Sequence, residues 1–492
     1  MRRTIFFAIL LPFIITACSS STPAPPPTAS PTLPTPVPPT ETVIIPTDQP
    51  TATPIPIPER AQYTLNTNLD YDNKIVSVDQ TIVYPNHSGE TLNNLVLAVV
   101  PNMWPGGFNL SGLSVDRTPI ADYSLSGQRL EFALPAPLAP GTMLTISIQY
   151  ALILPFAEQR DPSVERPRIY GFTDRQINLA NWYPFIVPYE AGTGWVLHDP
   201  WYYGEHLVYE AADYEVNLVT DPNVVVAASS FADYGGESTR YTLTAGRAFA
   251  ISASPEFQVV SKQVGDVTVS SYYFPFYENP GQAVLDASAQ AVELYSRLYG
   301  PYPHKTLAAV MGDFNDGMEY SALYFHSRGI YNLYNGTLQN LVVAVAVHET
   351  AHQWWFEQVA NDQALEPWLD EALCAYSERL YYETVDPSLV SWWWEYWPGR
   401  VGGTEALGWV DISVYEGGGF TPYTNTTYLL GARFLEDLRT RIGDEAFFAF
   451  LQDYRSQMNG GIATSNDFFT ILRQHTNVDI SDLIATYFAT PH

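Results

Sequence analysis

The sequence predicts two folded parts, an antiparallel β-sandwich or saddle over residues 60–260 and a mostly helical α/β part over residues 261–492. Short runs that alternate between apolar and polar residues dominate the first part, whereas the second part has the apolar spacing of helices. Roughly 430 residues are also too many for one hydrophobic core of usual size. The chain is therefore expected to be multidomain.

The chain opens with two arginines and a short apolar run at residues 5–15, and the run is followed by Ala17-Cys18. The run is too short to cross a bilayer as a mature helix, and the residues after it resemble a bacterial lipobox. We therefore predict a lipoprotein signal peptide at residues 1–17 and a lipidated Cys18. This lipid would anchor the protein extracytoplasmically, at the cell membrane or the outer membrane. The alternative is an ordinary signal peptide in which Cys18 is incidental.

Residues 18–59 begin with the predicted lipidation site and then consist mainly of Ser, Thr and Pro, without Lys or Arg between residues 19 and 58. Such a composition cannot bury enough apolar surface to offset the entropy that is lost on ordering. We expect a disordered, partly extended linker that holds the folded parts away from the membrane.

Strand patterns fill residues 60–260. Residues 63–65 and 75–78 alternate between apolar and polar side chains, and turn-forming residues such as 85–89 (PNHSG) separate the runs. This pattern is typical of antiparallel sheets. Three histidines in this part share no metal-binding spacing and are predicted to be loop or core residues: His87, His198 and His206.

Helical patterns prevail in the second part. Residues 282–299 form an amphipathic helix that stops at a Gly-Pro pair, and residues 313–320 (DFNDGMEY) are typical of a loop that leads into a strand. Further helices are predicted over residues 428–442 and 445–458, and a capping-box pattern opens another helix at Thr464.

The strongest chemical signal is the stretch that ends in HETAH. Residues 341–347 are all apolar and lead, without Gly or Pro, into His348, Glu349 and His352. On a helix, histidines four residues apart lie on one face and can hold one metal ion. Glu349 lies about a quarter turn away, where it can reach a water on that ion without ligating it. This arrangement is typical of zinc hydrolysis.

A third protein ligand is expected shortly downstream. A second helix starts near Glu366-Pro367, because Pro suits the first helical turn. On that helix, Asp370 and Glu371 point about 100° apart, so only one of them can face the metal. Spacing alone ranks Glu371 only slightly above Asp370. The acidic candidates in this stretch are Asp362, Glu366, Asp370 and Glu371.

These residues resemble a known family. HETAH, eighteen further residues and then Glu371 within WLDEA are similar to the zinc signature of the aminopeptidase N family of gluzincin metallopeptidases. Three other segments follow the family order: GPYP at 300–303, DGMEY at 316–320, which resembles the family's G-A-M-E-N motif, and YLLGA at 428–432, which resembles its Tyr-x-x-Gly-Ala segment. The chain departs from the usual family residues at Asp316, Tyr320, Asp370, Ala372 and Leu430.

The resemblance implies a thermolysin-like α/β fold for residues 261–492 and one Zn²⁺ per chain. The site chemistry assigns His348 and His352 as metal ligands and Glu349 as general base, and the resemblance implies that Glu371 is the third ligand. The resemblance adds Tyr428, which would donate its hydroxyl to the oxyanion. It also implies that Glu319 would hold the ammonium of a peptide's free N-terminus, while the backbone of Gly317 and Met318 would pair with the peptide.

The predicted function is removal of N-terminal residues from peptides by a membrane-anchored zinc aminopeptidase. The alternative enzyme is an endopeptidase with an open cleft, because only 121 residues follow Glu371 and the large helical C-terminal domain of many family members is expected to be missing. An alternative from another class is a surface lipoprotein that uses the fold for binding without catalysis. Tests with free and N-acetylated peptides distinguish these hypotheses.

The composition argues against nucleic acid as a partner. The formal net charge is −29, and clusters of Lys and Arg are few, whereas phosphate binding requires stripes of both. The acidity suits either solubility or the attraction of amine-bearing substrates.

Two further features of the second part are expected to be structural. The aromatic run at residues 392–397 points in several directions on a helix, which favours packing over lining a cleft. Cys374 is expected to be a buried thiol and not a nucleophile.

Overall fold

The structure of the protein is a computed structural model, and it describes residues 58–157, 169–314 and 317–492. The predicted signal peptide, Cys18, the linker up to residue 57 and Asp316 lie outside the described residues. Within these described ranges, no helix has both the length and the apolar character that crossing a bilayer requires.

The first part of the chain consists of strands joined by turns, as the alternating pattern predicts. Its strands are β1 (Ala61–Asp70), β2 (Ile75–Pro85), β3 (Leu92–Ala98), β4 (Phe108–Val115), β5 (Thr118–Pro119), β6 (Ser124–Ser126), β7 (Arg129–Leu138), β8 (Met143–Ile153), β9 (Gly171–Phe172), β10 (Ile177–Leu179), β11 (Phe185–Ile186), β12 (Tyr189–Glu190), β13 (Gly194–Trp195), β14 (Ala212–Val219), β15 (Val225–Ala228), β16 (Ala232–Asp233), β17 (Thr239–Gly246) and β18 (Ile251–Ser254). A short 3₁₀ helix at Val100–Met103 interrupts them.

These strands form several sheets. The main one has the order β16-β17-β14-β1-β2-β8-β4-β5, and its neighbours are antiparallel except β1 and β14, which run parallel. Smaller sheets have the orders β15-β18-β10-β9 and β11-β3-β7-β6. The predicted antiparallel β architecture is confirmed. The parallel pair joins strands that are distant in the sequence, so local alternation could not reveal it.

The alternating pattern determines which face of the main sheet is buried. Along β1, the buried residues Tyr63 and Leu65 alternate with exposed or partly exposed neighbours. The Tyr63 ring stacks on Tyr214 with centroids 5.2 Å apart, and its hydroxyl accepts a hydrogen bond from Ile186 N at 3.1 Å. The core therefore lies between the main sheet and the segment that follows β10.

The second part is mainly helical. Its strands are β19 (Gln258–Val264), β20 (Val267–Tyr273), β21 (Thr306–Gly312), β22 (Met318–Tyr320), β23 (Leu323–Ser327), β24 (Ala360–Asn361) and β25 (Ile462–Ala463). Its α-helices are α1 (Glu278–Tyr299), α2 (Arg328–Tyr331), α3 (Leu341–Ala351), α4 (Trp368–Val385), α5 (Val390–Val401), α6 (Phe420–Thr424), α7 (Gly431–Ile442), α8 (Asp444–Met458), α9 (Ser465–His475) and α10 (Ser481–Tyr487). Short 3₁₀ turns lie at Pro387–Leu389 and Val414–Glu416, and a π-helix lies at Asn425–Leu430.

A mixed sheet with the order β19-β20-β21-β23-β22, here called the C-terminal sheet, supports these helices. Strands β20, β21 and β23 run parallel, and β22 lies antiparallel to β23 at the sheet edge. Helix α1 packs against β19, β20 and α3. The sheet begins at Gln258, shortly before the boundary expected at residue 261, and that boundary stays a prediction.

Helix positions agree with the sequence signals to within about one turn. The helix expected over residues 282–299 begins earlier, at Glu278. Thr464 and Asp467 form the predicted capping box at the start of α9, which is confirmed. The helix expected over residues 428–442 ends at Ile442 as predicted, but its first three residues belong to the π-helix that precedes Gly431.

The two parts meet close to α4 and the loop before the π-helix. His198 of the first part lies 2.7 Å from Asp362, and the Tyr415 hydroxyl donates to the Asp199 carbonyl at 2.6 Å. The other two histidines of the first part also have structural partners, since His206 pairs with the Gln128 side chain and His87 with a backbone carbonyl.

Candidate metal centre

Helix α3 carries the first residues of the HETAH motif into the protein interior. Its apolar residues are buried on every side, which is typical of a core helix. The Asn340 side chain caps the first turn by accepting a hydrogen bond from Val342 N at 2.9 Å. The helix ends at Ala351, and His352 follows with helical backbone angles, so His348 and His352 still face the same side.

Two imidazole nitrogens and one carboxylate oxygen meet at one place. His348 Nε2 lies 3.1 Å from His352 Nε2, and Glu371 Oε2 lies 3.3 and 3.7 Å from these two atoms. All three side chains are at most 1% exposed. A tetrahedral zinc ion with bonds of about 2.0–2.1 Å would separate its ligand atoms by roughly 3.3 Å. The donor types and their separations therefore fit Zn²⁺.

Helix α4 brings Glu371, and not Asp370, to the histidines. The Asp370 carboxylate instead accepts hydrogen bonds from Asn361 Nδ2 at 3.1 Å and from the Gln363 amide. Burial, and then the neighbouring Glu371, raise the pKa of Asp370 well above its usual value. Asp370 therefore stabilises the turn before α4. These contacts distinguish the two candidates for the third ligand that spacing left open, because only Glu371 reaches the histidines.

A buried ion pair holds the far side of His348. His348 Nδ1 lies 2.8 Å from Glu378 Oε1, and Arg400 Nη1 donates to both oxygens of Glu378 at 2.7 and 2.8 Å. Trp393 Nε1 donates to Glu378 Oε2 at 3.0 Å. A carboxylate on the second nitrogen of a ligand histidine fixes the ring orientation and the tautomer. The Nε2 atom is thereby left to face the metal position.

The surrounding charges favour a cation at this position. Burial lowers the pKa of His348, but hydrogen bonds to Glu371 and Glu378 outweigh it and raise that pKa to about 9. Burial, and then His348, lower the pKa of His352 well below its usual value. Burial raises the pKa of Glu378, but Arg400 and His348 outweigh burial and keep this carboxylate ionised. The Glu371 and Glu378 carboxylates therefore stabilise positive charge at His348.

Strand β22 passes directly beside the general-base candidate. A Cβ atom at Gly317 would lie 3.1 Å from Glu349 Oε1, which is closer than most Cβ contacts in proteins. The lack of a side chain at Gly317 therefore lets the backbone approach Glu349 closely. Met318 and Glu319 follow on β22, and Glu319 Oε1 lies 3.7 Å from His352 Nδ1 in a fully buried position. The structure thus brings Gly317, Glu319 and Glu349 together next to the proposed ligands.

Among the residues that the structure describes, two groups of side chains could each hold a metal ion. One consists of His348, His352 and Glu371. The other consists of Glu319, Glu349 and His352, with ligand atoms within 4.8 Å of one another. Two imidazoles and one carboxylate suit the borderline-soft Zn²⁺ better than the carboxylate-rich group does. Glu319 and Glu349 then lie beside the metal position as candidates for contact with substrate.

Tyr428 lies on the π-helix and faces a proposed ligand. Its ring is nearly parallel to the His348 ring, with centroids 5.9 Å apart and 9° between the planes. The Asn425 side chain anchors the same turn by donating to two loop carbonyls, those of Gly403 and Glu405. Such π-turns are frequent at functional sites because they re-aim one side chain within a helix.

Gly431 allows the segment with Tyr428 to approach the helix that carries Glu371. A Cβ atom at Gly431 would lie 2.4 Å from Ala372 Cβ, which no pair of real side chains tolerates. The glycine of the YLLGA segment is therefore required by packing. This close contact fixes Tyr428 relative to Glu371.

Sequence reasoning missed Glu378, Trp393 and Arg400. Glu378 follows Glu371 by seven residues, which is the same face of α4, and Arg400 follows Trp393 with the same spacing on α5. This spacing of seven residues was the signal in the sequence that could have indicated them. Only the fold shows that α5 packs against α4, which brings Arg400 and Trp393 to Glu378. The packing expected for the aromatic run agrees with the burial of Trp393 and Trp397, and Cys374 is buried as expected.

Comparison with known proteins finds relatives along much of the chain, although no protein-family model matches. Aminopeptidase N of Lactobacillus delbrueckii subsp. lactis is 28% identical over 227 residues, which are 42% of this chain and 26% of that protein. Aminopeptidase N of Lactobacillus helveticus is 23% identical over 460 residues, which are 87% of this chain and 50% of that protein. The chain thus spans half the length, or less, of these relatives.

Solved structures show the same fold. A mutant M1 zinc metallopeptidase from Deinococcus radiodurans has a TM-score of 0.64 and 17% identity, over 88% of this chain and 95% of that one. A mutant M1 zinc metallopeptidase from the same organism, bound to a Tyr-Ser-Ala substrate, has a TM-score of 0.61. This similarity shows the predicted order of a β part and a helical part. The chain is thus similar in sequence to proteins named aminopeptidase N and similar in fold to M1 zinc metallopeptidases.

Proposed function

We propose that this chain is a zinc aminopeptidase that hydrolyses the first peptide bond of peptides with a free N-terminus. One observation carries the proposal: three zinc-type ligand atoms meet in a buried site beside the carboxylates of Glu349 and Glu319. The relatives support it, because two of them are named aminopeptidase N and one solved neighbour is bound to a Tyr-Ser-Ala substrate.

His348, His352 and Glu371 would hold the metal. A zinc ion there supplies Lewis acidity, which lowers the pKa of a water toward about 7 and polarises a carbonyl group. Glu378 orients His348 from behind, and the Trp355 carbonyl, 3.1 Å from His352 Nδ1, does the same for His352. Both rings are then fixed before a metal arrives.

Glu349 acts as the general base. It directly follows His348 on α3 and lies close to the Gly317 backbone, so its carboxylate borders both the metal position and β22. There it accepts a proton from the attacking water and passes it to the leaving amine. Such proton transfer contributes roughly 10²- to 10⁴-fold to the rate.

Tyr428 stabilises the oxygen on which negative charge develops. Its ring is held parallel to His348, and its hydroxyl donates a hydrogen bond to the former carbonyl oxygen. The buried setting supports this role, because a hydrogen bond to an anion is stronger where water is excluded.

Glu319 recognises the free N-terminus. A peptide that joins the edge of the C-terminal sheet would pair with the backbone of Gly317 and Met318, as strand-adding ligands do. Its ammonium would then reach the Glu319 carboxylate, close to His352. In this register the first peptide bond would lie near Glu349, so the enzyme would remove one residue at a time from the N-terminus.

We also propose that the enzyme is lipid-anchored outside the bacterial cytoplasm. The support is the sequence alone, which has an apolar run of signal-peptide length and a lipobox-like end at Cys18. The Ser-, Thr- and Pro-rich residues 19–58 would then separate the catalytic part from the membrane.

The first prediction concerns Glu349. We expect Glu349→Gln to retain one zinc per chain, because the ligands are unchanged, and to lose at least about 100-fold in turnover, because the base is gone. Metal analysis and peptide hydrolysis measure the two effects. Glu366→Gln changes a carboxylate that hydrogen-bonds Ser465 and serves as the control. A variant that keeps more than about a tenth of the turnover contradicts the general-base role.

The second prediction concerns the ion pair behind His348. Glu378→Gln should weaken zinc binding by about 10- to 100-fold, because it removes the charged acceptor that orients the ring. Competition with a chelator measures the zinc dissociation constant. Glu383→Gln is the matched control, because Glu383 lies on the same helix but pairs with Arg439. Equal zinc affinities in the two variants would refute the orienting role of Glu378.

The third prediction distinguishes exopeptidase from endopeptidase. Cleavage rates of one peptide with a free and with an N-acetylated end should differ by more than about 100-fold, because an acetylated end cannot form the charged hydrogen bond that the ammonium would make with the buried Glu319 carboxylate. Glu319→Ala should remove most of this difference. Comparable rates on both substrates, with internal cuts, would favour the endopeptidase, and zinc binding without any turnover would favour the non-catalytic alternative.

The fourth prediction concerns Cys18. Mass spectrometry of the mature N-terminal peptide should find acyl chains on Cys18, and Cys18→Ala should release the protein from membranes or leave the precursor uncleaved. An unmodified Cys18 in mature protein contradicts the lipid anchor.

A further inference from the structure

Gln353 connects the zinc helix to the strand that carries Glu319. It directly follows His352 and is fully buried. Its Nε2 donates to the Tyr320 carbonyl at 3.0 Å, and its Oε1 accepts a hydrogen bond from Ala322 N at 2.9 Å. One side chain therefore holds both ends of the turn between β22 and β23.

The same turn is held from its other side through Ser321. Its hydroxyl donates to Glu357 Oε2 at 2.7 Å and accepts hydrogen bonds from Arg247 N at 2.8 Å and Ala248 N at 3.2 Å. The next residue, Ala322, has a φ of +55°, which is unfavourable for a residue other than glycine. Such a conformation persists only where the surroundings fix it.

These contacts set the distance between the metal position and Glu319. Glu319 immediately precedes Tyr320, whose carbonyl Gln353 holds, and Gln353 immediately follows His352. Glu319 Oε1 lies 3.7 Å from His352 Nδ1. The hydrogen bonds of Gln353 therefore connect the segment that carries His352 to the strand that carries Glu319. A displaced turn would therefore change the position of Glu319 relative to His352.

We propose that Gln353 is a positioning residue that fixes β22 relative to the metal and so restricts cleavage to the first peptide bond. This inference rests on the proposed aminopeptidase function. A shift of about 1 Å in a positioning group can reduce a rate by roughly 100-fold. The loss should fall on peptides with a free N-terminus, because only their ammonium needs Glu319 at this distance.

The test compares Gln353→Met with Gln358→Met. Methionine keeps the volume of glutamine but forms neither hydrogen bond to β22. Gln358 is also buried and lies on the same segment, but its amide donates to the carbonyls of Pro301 and Gln353 and not to β22. Each variant is assayed for zinc content, and kcat and KM are measured for one peptide with a free and with an N-acetylated end.

We expect Gln353→Met to keep one zinc per chain and to lose about 100-fold in kcat/KM on the free peptide, mainly through KM, with little change on the acetylated one. Gln358→Met should keep the wild-type ratio between the two substrates. An unchanged ratio in Gln353→Met overturns the positioning role but leaves the aminopeptidase function intact. A wild type without preference for the free peptide overturns the function itself.

Ser321→Ala provides a second, smaller change at the same turn if Gln353→Met does not fold. It removes the hydroxyl contacts to Glu357 and to the Arg247 and Ala248 amides while leaving Gln353 in place. A lower preference for the free peptide supports the role of this turn in positioning Glu319. A wild-type preference in this folded variant contradicts it.

Discussion

The site depends on placing two imidazole nitrogens 3.1 Å apart at the C-terminal end of a helix that is buried on every side. In such surroundings each polar atom needs a partner, because an unpaired buried group is strongly destabilising. His348 Nδ1 is satisfied by Glu378 and His352 Nδ1 by the Trp355 carbonyl. The remaining Nε2 atoms turn toward each other and toward Glu371. The arrangement of the three proposed metal ligands therefore follows from the hydrogen bonds that the two Nδ1 atoms form.

The ion pair of Glu378 with Arg400 illustrates how far this requirement extends. Both side chains are buried, and a buried pair rarely adds net stability compared with apolar residues. Its value here lies in orientation, because a rigid acceptor behind His348 keeps that ring in one tautomer. The aromatic run on α5 then has a physical role, since Trp393 donates to Glu378 and Trp397 covers Arg400.

Local sequence signals predicted the helices and strands that carry the site well. Contacts between residues that are distant in the sequence determined which side chains meet there. The order of the two parts, the buried helix before HETAH and the capping box at Thr464 follow from residues that are close in sequence. The choice of Glu371 over Asp370 depends on side chains of the preceding turn, and the π-helix under Tyr428 interrupts a pattern that is locally helical. The partners of Glu378 and Gln353 lie on other elements, so one-dimensional spacing could not indicate them.

In the proposed function, the charges around the metal position would connect zinc binding with recognition of a free N-terminus. Among the described residues, the carboxylates of Glu319, Glu349 and Glu371 lie together and are at most 1% exposed. If all three are ionised, a divalent cation balances two of the charges and leaves one negative charge in a buried site. A substrate ammonium beside Glu319 would neutralise it, whereas an acetylated end would not. Under the proposed function, electrostatic balance and the position of β22 would therefore favour the same substrates, those with an uncapped amine.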